Sequence, residues 1–308
     1  MSDSTQHKSK FDNGSVLTIG TFDGVHVGHK KILQKVVNKA KTLGLPSVVL
    51  TLFPHPRMVL FKDETIKLLN TIDERIAILN EAGIEHVIVK KFSKSFSNLS
   101  AKQYVKDILV KELNAKHIVI GYDHHFGKNR SANINDLKQF ANVYNFVVEE
   151  ISAQDIEDVT VSSTKIRNAL DIGDVALANA YLGYRYFITG KVIKGKRIGR
   201  TIDFPTANID ISEDYKLIPK DGVYVIKSII DNVQLYGMMN IGTNPTVEGK
   251  NRSVEVHFFD FNANLYGKIL KVEFLNRLRD EAKFNDLNAL KKQLKIDEQQ
   301  AKDFISSM

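Results

Sequence analysis

Hydrophobic periodicity changes character once along this 308-residue chain, and that change constrains the fold more than any other feature. Up to about residue 182, short apolar runs alternate with amphipathic segments. Val16–Gly20, Ser47–Phe53, His86–Lys90, His117–Tyr122 and Phe146–Ile151 are rich in Val and Ile and read as buried strands. The segments between them have helical ends. Ile32, Leu33, Val36, Val37 and Ala40 share one face ahead of Gly44, and both Thr71–Ile72–Asp73–Glu74 and Ser100–Ala101–Lys102–Gln103 have capping-box spacing. Such alternation predicts an α/β fold with a Rossmann-like, doubly wound parallel sheet. Two short helices, 163–170 and 174–182, close this part. After Tyr184 the helical period stops. Strand-like runs follow at Tyr186–Ile193, Val223–Ile229, Leu235–Ile241, Ser253–Asp260 and Ile269–Phe274, separated by Gly, Asn and Asp, before Leu287, Leu290, Leu294 and Ile296 mark a last helix. Sequential strands without crossover helices predict a small antiparallel β-barrel with a terminal helix. The domains are read as 1–184 and 185–308.

Composition removes several chemistries. Cysteine is absent, which excludes disulfides, thiolate metal sites and a cysteine nucleophile. The segment Met1–Phe11 is polar, and no run reaches the roughly 18–20 apolar residues of a membrane span, so a cytoplasmic protein without a membrane partner is expected. The 43 Lys and Arg against 36 Asp and Glu give a formal charge of +7. That surface suits an anionic partner, nucleic acid or nucleotide, and equally serves solubility.

The strongest local signal is Gly20–Thr21–Phe22–Asp23–Gly24–Val25–His26–Val27–Gly28–His29, where the first strand meets the first helix. Free N–H groups and the helix dipole make such a junction an anion site. Gly28 allows close backbone approach, and the imidazoles of His26 and His29 can donate to phosphoryl oxygens. Three further segments sit at or just beyond the C-terminal ends of strands, where open α/β sheets place ligands: Leu52–Phe53–Pro54–His55–Pro56, Gly121–Tyr122–Asp123–His124–His125–Phe126–Gly127, and Val161–Ser162–Ser163–Thr164–Lys165–Ile166–Arg167. Ser162, Ser163 and Thr164 supply hydroxyls and N–H groups at a helix start, or simply cap it, and Arg167 supplies a cation one turn on. In the second domain, Gly190–Arg197 falls short of a Walker A loop because Arg197 stands where Ser or Thr would hold magnesium. Gly195 and Gly199 among basic residues suit a phosphate-covering loop or a basic hairpin. In Phe204–Pro205–Thr206–Ala207–Asn208, Thr206 and Asn208 offer hard neutral oxygens on one face of an extended segment.

Taken together, the patterns GxFDGVHxGH, FxPHP, GxDxxFG and SSTxIR, followed by PTAN, resemble in order those of the bifunctional prokaryotic FAD synthetases, riboflavin kinase fused to FMN adenylyltransferase. The likeness spans roughly residues 14–300. The resemblance implies adenylyl transfer from ATP to FMN in the first domain, with His26, His29 and Arg167 stabilising charge. It implies ATP contacts at Gly20, Phe22, Asp23, Gly28, Ser162, Ser163 and Thr164, and flavin contacts at Phe53, Pro54, Pro56, Asp123 and Phe126. In the second domain it implies ATP-dependent phosphorylation of riboflavin, with Gly195 and Gly199 at ATP, Mg2+ held by Thr206 and Asn208, and Glu255 as base for the ribityl hydroxyl. FMN is then an intermediate, and the protein is expected as a monomer or weak homo-oligomer with no nucleic-acid partner. Two positions depart from the pattern: His124 where many members carry Phe, and Asp203 where many carry Gly. The competing expectation is another HxGH-type nucleotidyltransferase bearing a basic RNA-binding barrel. A synthetase fragment would need a KMSKS loop, which the sequence lacks.

Overall fold

The structure is a computed structural model that describes residues 11–61, 65–121, 124–151, 161–195, 199, 202–246 and 249–308. By compactness the chain divides into two units, Met1–Val161 and Ser162–Met308.

The first unit is built on five parallel strands, β1 (Ser15–Ile19), β2 (Ser47–Phe53), β3 (His86–Lys91), β4 (Ala115–Gly121) and β5 (Val147–Ile151), in the order β3-β2-β1-β4-β5. All five residues of β1 are buried, as a central parallel strand covered on both faces requires. Strand order reverses between β1 and β4, so the switch-point crevice lies beyond Ile19 and Gly121. Helix α1 (Val27–Leu43) is capped by His26 and ends at left-handed Gly44, and α2 (Pro56–Leu60) follows β2 directly. Helix α3 (Ile72–Glu81) has the full Thr71–Glu74 capping box, and α4 (Ile134–Tyr144) precedes β5. The Ser100–Gln103 box also forms, yet Tyr104–Glu112 continues as a π-helix rather than an α-helix. The N–H of Leu113 accordingly reaches the carbonyl of Ile108, 3.0 Å away.

In the second unit six strands close a barrel: β6 (Phe187–Ile193), β7 (Ala207–Asp210), β8 (Gly222–Ile230), β9 (Val233–Thr246), β10 (Gly249–Phe258) and β11 (Ile269–Arg279), in the order β10-β7-β6-β11-β8-β9. Strand β7 has no counterpart among the apolar runs of the sequence. It has four residues, of which Asn208 and Asp210 are polar, too few for periodicity to register. Inside the barrel Phe274 packs edge-on to Tyr224 with centroids 5.2 Å apart and lies 5.9 Å from Tyr186. Helices α5 (Ser163–Ile172) and α6 (Val175–Leu182) belong to this unit. Asn179 donates to the carbonyl of Phe274 and accepts from the N–H of Tyr186, and the carbonyl of Leu170 accepts from Lys220. Packing therefore divides the chain ahead of α5, whereas the periodicity changes at 184/185. The terminal helix α7 (Leu287–Ser306) covers Val223, Val225, Met238 and Leu275 with Ala301. Its fully buried Asp297 accepts from Nε and Nη2 of Arg279 at 2.9 and 2.7 Å, and from Gln293.

Removing that carboxylate leaves a half-buried guanidinium without its acceptor. Asp297→Ala is expected to cost about 2 kcal/mol, measured as a lower chemical-denaturation midpoint of the full chain.

Candidate functional site

The loop after β1 is held in an unusual path. Phe22 (φ +48°) and Val25 (φ +37°) are left-handed, as is Gly24. Such conformations cost roughly 1–3 kcal/mol each for non-glycine residues and persist only when their surroundings impose them. Here the surroundings are polar. Asp23 is 1% exposed and accepts from the N–H groups of Leu69 (3.0 Å) and Asn70 (3.4 Å), while Nη2 of the fully buried Arg75 lies 3.6 Å from its carboxylate. The loop start is fixed to β2 through Gly20 N–H to Leu50 and through Thr51 Oγ1 to the carbonyl of Thr21. Phe22 is buried beneath Gly20, edge-on to His29 at 5.1 Å. Phe22 and Asp23, both expected at ATP, are thus buried and hold the loop.

The two histidines meet at the start of α1. His26 is the N-cap: its Nδ1 accepts from the N–H of His29 at 3.4 Å. The rings stack at 3.7 Å with a 17° interplanar angle. A Cβ on Gly28 would lie 3.3 Å from the His26 ring, so glycine there lets the imidazole lie against the backbone. Because Nδ1 of His26 accepts, its proton sits on Nε2. Burial pushes the His26 pKa down to about 4 against the pull of Asp23, and His29 is held well below the usual imidazole range by burial, then by His26 and Arg75. Both rings are therefore neutral at pH 7 and each carries one N–H. Among the described residues Nδ1 of His29 is buried without a hydrogen-bond partner, and in the tautomer that protonates it this nitrogen needs an acceptor, such as a phosphoryl oxygen.

Other expected residues of this unit flank the crevice. Phe53, Pro54 and Pro56 are half-buried at the C-terminal end of β2, where His55 caps α2. Asp123 lies outside the described residues. Phe126 is 6% exposed, tilted against buried Tyr104 at 5.7 Å, and covered by the ring of His124, centroids 5.9 Å apart. The half-buried aromatic of this segment is thus His124, with Phe126 beneath it. In the second unit, Ser162 caps α5, its Oγ accepting from Lys165, and Ser163, Thr164 and Arg167 follow on the first turns.

The barrel carries a second constellation around β7 and β10. An added Cβ would fall 2.1 Å from Asn208 Nδ2 at Gly195, and 2.1 Å from the carbonyl oxygen of Phe204 at Gly199; both glycines thus close down on the Phe204–Asn208 segment. The hydroxyl of Thr206 donates to Glu255 Oε2 at 3.0 Å. Asn208 pairs with Glu255 in the β7–β10 ladder. Nδ1 of His257 lies 2.8 Å from the carbonyl of Pro205. Asp203 is left-handed (φ +67°), and its carboxylate is taken by Lys291 of α7 at 2.6 Å, which holds it below the usual carboxylate range. A cavity of about 710 Å3 opens beside this segment, lined among others by Asp203, Thr206, His257, Phe261, Tyr266 and Glu298. That volume is within the range of small-molecule pockets.

Several of these residues escaped the sequence reading. Arg75 shares the buried face of α3 with Ile78 and Leu79, three and four positions on, and that spacing was its available signal. Tyr104, the 260–266 turn and Lys291 carried none, because each acts through residues distant in sequence.

The comparisons agree across the chain. The model of the FAD synthetase family matches residues 8–165 and that of the riboflavin kinase family residues 182–305. Bifunctional riboflavin kinase/FMN adenylyltransferases of Bacillus subtilis and Haemophilus influenzae are each 38% identical, covering 96% of this chain and 93% and 95% of theirs. The one from Escherichia coli K12 is 35% identical over 94% of this chain and 93% of its own. A crystal structure of a macrolide-efflux protein from Streptococcus pneumoniae aligns with a TM-score of 0.84 at 33% identity, covering 94% of each chain. No helix among the described residues of this chain is long and apolar enough to cross a membrane.

The depressed His26 pKa makes the loop acid-labile. Between pH 6.5 and about 4 the unfolded chain binds a proton at this site that the folded one does not, so stability present above 6.5 is lost as pH falls, by up to about 3 kcal/mol. His26→Asn keeps an N-cap acceptor but does not titrate. Its unfolding free energy is expected to fall less steeply over that window, as measured by denaturant titrations at a series of pH values.

Proposed function

This chain belongs to the bifunctional riboflavin kinase/FMN adenylyltransferase family, and we propose that the Gly20–His29 loop carries its FMN adenylylation and the Phe204–Asn208 segment with Glu255 its riboflavin phosphorylation. The chain forms FMN from riboflavin and ATP, then FAD and pyrophosphate from FMN and a second ATP.

For adenylyl transfer the observation that carries the reading is the stacked, neutral His26–His29 pair at a helix N-terminus. The attacking FMN phosphate is already ionised at neutral pH, so no base is needed, and catalysis reduces to alignment and charge stabilisation at the α-phosphorus. The proton on His26 Nε2 and the one N–H of His29 donate to phosphoryl oxygens, and Gly20 and Gly28 let backbone approach them. Asp23 and Phe22 act by holding that geometry. Ser162, Ser163, Thr164 and Arg167 are proposed as ATP phosphate contacts on their motif. On the flavin side, Phe53, Pro54 and Pro56 offer apolar surface, with His124 stacked over Phe126.

For phosphoryl transfer the supporting observation is the Thr206–Glu255 hydrogen bond. An alcohol nucleophile needs an acceptor for its proton. With Oε2 of Glu255 occupied by Thr206, Oε1 is the oxygen that takes the ribityl proton. The same hydrogen bond commits the Thr206 hydroxyl proton and leaves its lone pairs, which together with Asn208 Oδ1 form the neutral oxygen set that Mg2+ accepts. Magnesium held there would offset phosphate charge. Gly195 and Gly199 let the preceding loop approach the phosphates, and the adjoining cavity accepts the nucleoside.

The reading is tested by incubating purified protein with ATP, Mg2+ and either riboflavin or FMN and separating the flavins by chromatography. His29→Ala is expected to form FMN normally and to lose roughly 10²–10³ in FAD formation; equal loss of both products contradicts the assignment. Glu255→Gln is expected to lose roughly 10²–10⁴ in riboflavin phosphorylation while converting supplied FMN to FAD. Gly195→Ala displaces Asn208 and should lower FMN formation alone.

A further inference from the structure

We propose that His257 is a positioning residue of the kinase reaction, its Nδ1–H fixing the carbonyl of Pro205 and thereby the backbone from which Thr206 projects. The inference rests on the assignment of Thr206 and Glu255 to the kinase site and concerns what holds that site in register.

The ladder between β7 and β10 consists of the pairs Asn208–Glu255 and Ala207–Val256. It stops at the residues that matter most, because Pro205 has no N–H to donate. The N–H of Phe204 is turned away, to the carbonyl of Gly199 at 2.9 Å. What the backbone cannot supply, side chains of β10 do. Glu255 and His257 are two apart and share a face of the strand. Glu255 accepts from the Thr206 hydroxyl at 3.0 Å, and His257 Nδ1 lies 2.8 Å from the oxygen of Pro205. A carbonyl oxygen only accepts, so the proton is on Nδ1. The imidazole is itself fixed between Phe204, 5.3 Å away, and Phe259, 6.0 Å away, and it lines the 710 Å3 cavity. Two adjacent side chains of one strand thus grip two consecutive residues of the segment, one of them Thr206.

Packing and hydrogen bonding separate by substitution. His257→Phe keeps an aromatic ring between Phe204 and Phe259 but has no donor. His257→Asn places an N–H close to the position of Nδ1 with no ring. Both are made in the full chain, and FMN adenylylation in the same polypeptide reports on global folding. Expected for His257→Phe are a rise in the kinase KM for ATP of about fivefold, the scale of one neutral hydrogen bond, an unchanged KM for riboflavin, unchanged adenylylation, and faster amide exchange across residues 203–208. His257→Asn should return both the KM for ATP and the exchange to within about twofold of wild type, that residual being the packing lost with the ring. The proposal is overturned if His257→Phe matches wild type in both readouts, if exchange rises while the kinase constants do not move, if adenylylation falls with phosphorylation, or if Asn behaves no better than Phe. Failure of the underlying site assignment registers separately, as unimpaired riboflavin phosphorylation by Glu255→Gln.

Discussion

A carboxylate taken out of water must be met by donors, and in the first unit that requirement organises the site. Asp23 is buried within the loop and is met by two backbone N–H groups and by buried Arg75. An uncompensated charge at this depth would cost several kcal/mol, more than the strain at Phe22 and Val25. The loop therefore accepts two left-handed residues in order to keep Asp23 satisfied. Once that path is imposed, His26 arrives in the N-cap position and His29 beneath it, with tautomer and neutrality of His26 set by the helix start and by burial. The stacked histidines are one end of an arrangement whose fixed point is internal.

The second unit solves a similar problem with different means. The side chains proposed for its site stand on a strand and on the extended segment paired with it, so alternation along β10 places Glu255 and His257 on one face. Gly195 and Gly199 themselves lie directly on that segment, where a Cβ would collide with it. One unit thus positions rings by capping a helix, the other positions oxygens by strand register. Neutral donors aimed at phosphoryl oxygens suit attack by a pre-ionised phosphate. A carboxylate beside a hydroxyl suits attack by an alcohol.

Much of this was legible in the residues. The five parallel strands were visible because each carries a short cluster of Val, Ile or Leu, while their order, and with it the switch point, came from the structure. Five of six barrel strands were visible for the same reason, but β7 was not, two of its four residues being polar and its length too short for a period to register. The π-helical turn at Tyr104–Glu112 has the amphipathic pattern of an ordinary helix and gave no separate signal. Among the proposed site residues, His26 and His29 stood out by their place at a strand–helix junction and Thr206 and Asn208 by their two-residue spacing, whereas Glu255 was singled out only by the family resemblance. Phe22, Asp23 and Phe126 carry the same motifs yet point inward, because a motif records which residues a site needs and not which way each one faces. Asp203, a departure from the family pattern shortly before Thr206 and Asn208, finds Lys291 eighty-eight positions away, a contact that only the folded barrel creates.

The brevity of β7 has a thermodynamic corollary. This strand closes the cylinder, pairing with β6 on one side and with two residues of β10 on the other, so the seam is a short part of the wall and lies beside the 710 Å3 cavity. Occupancy there and cohesion of the wall become linked equilibria: whatever binds the closed form alone raises its resistance to opening in proportion to the logarithm of its concentration. An occupant of that cavity that requires the closed wall would hold the cylinder shut at its shortest strand.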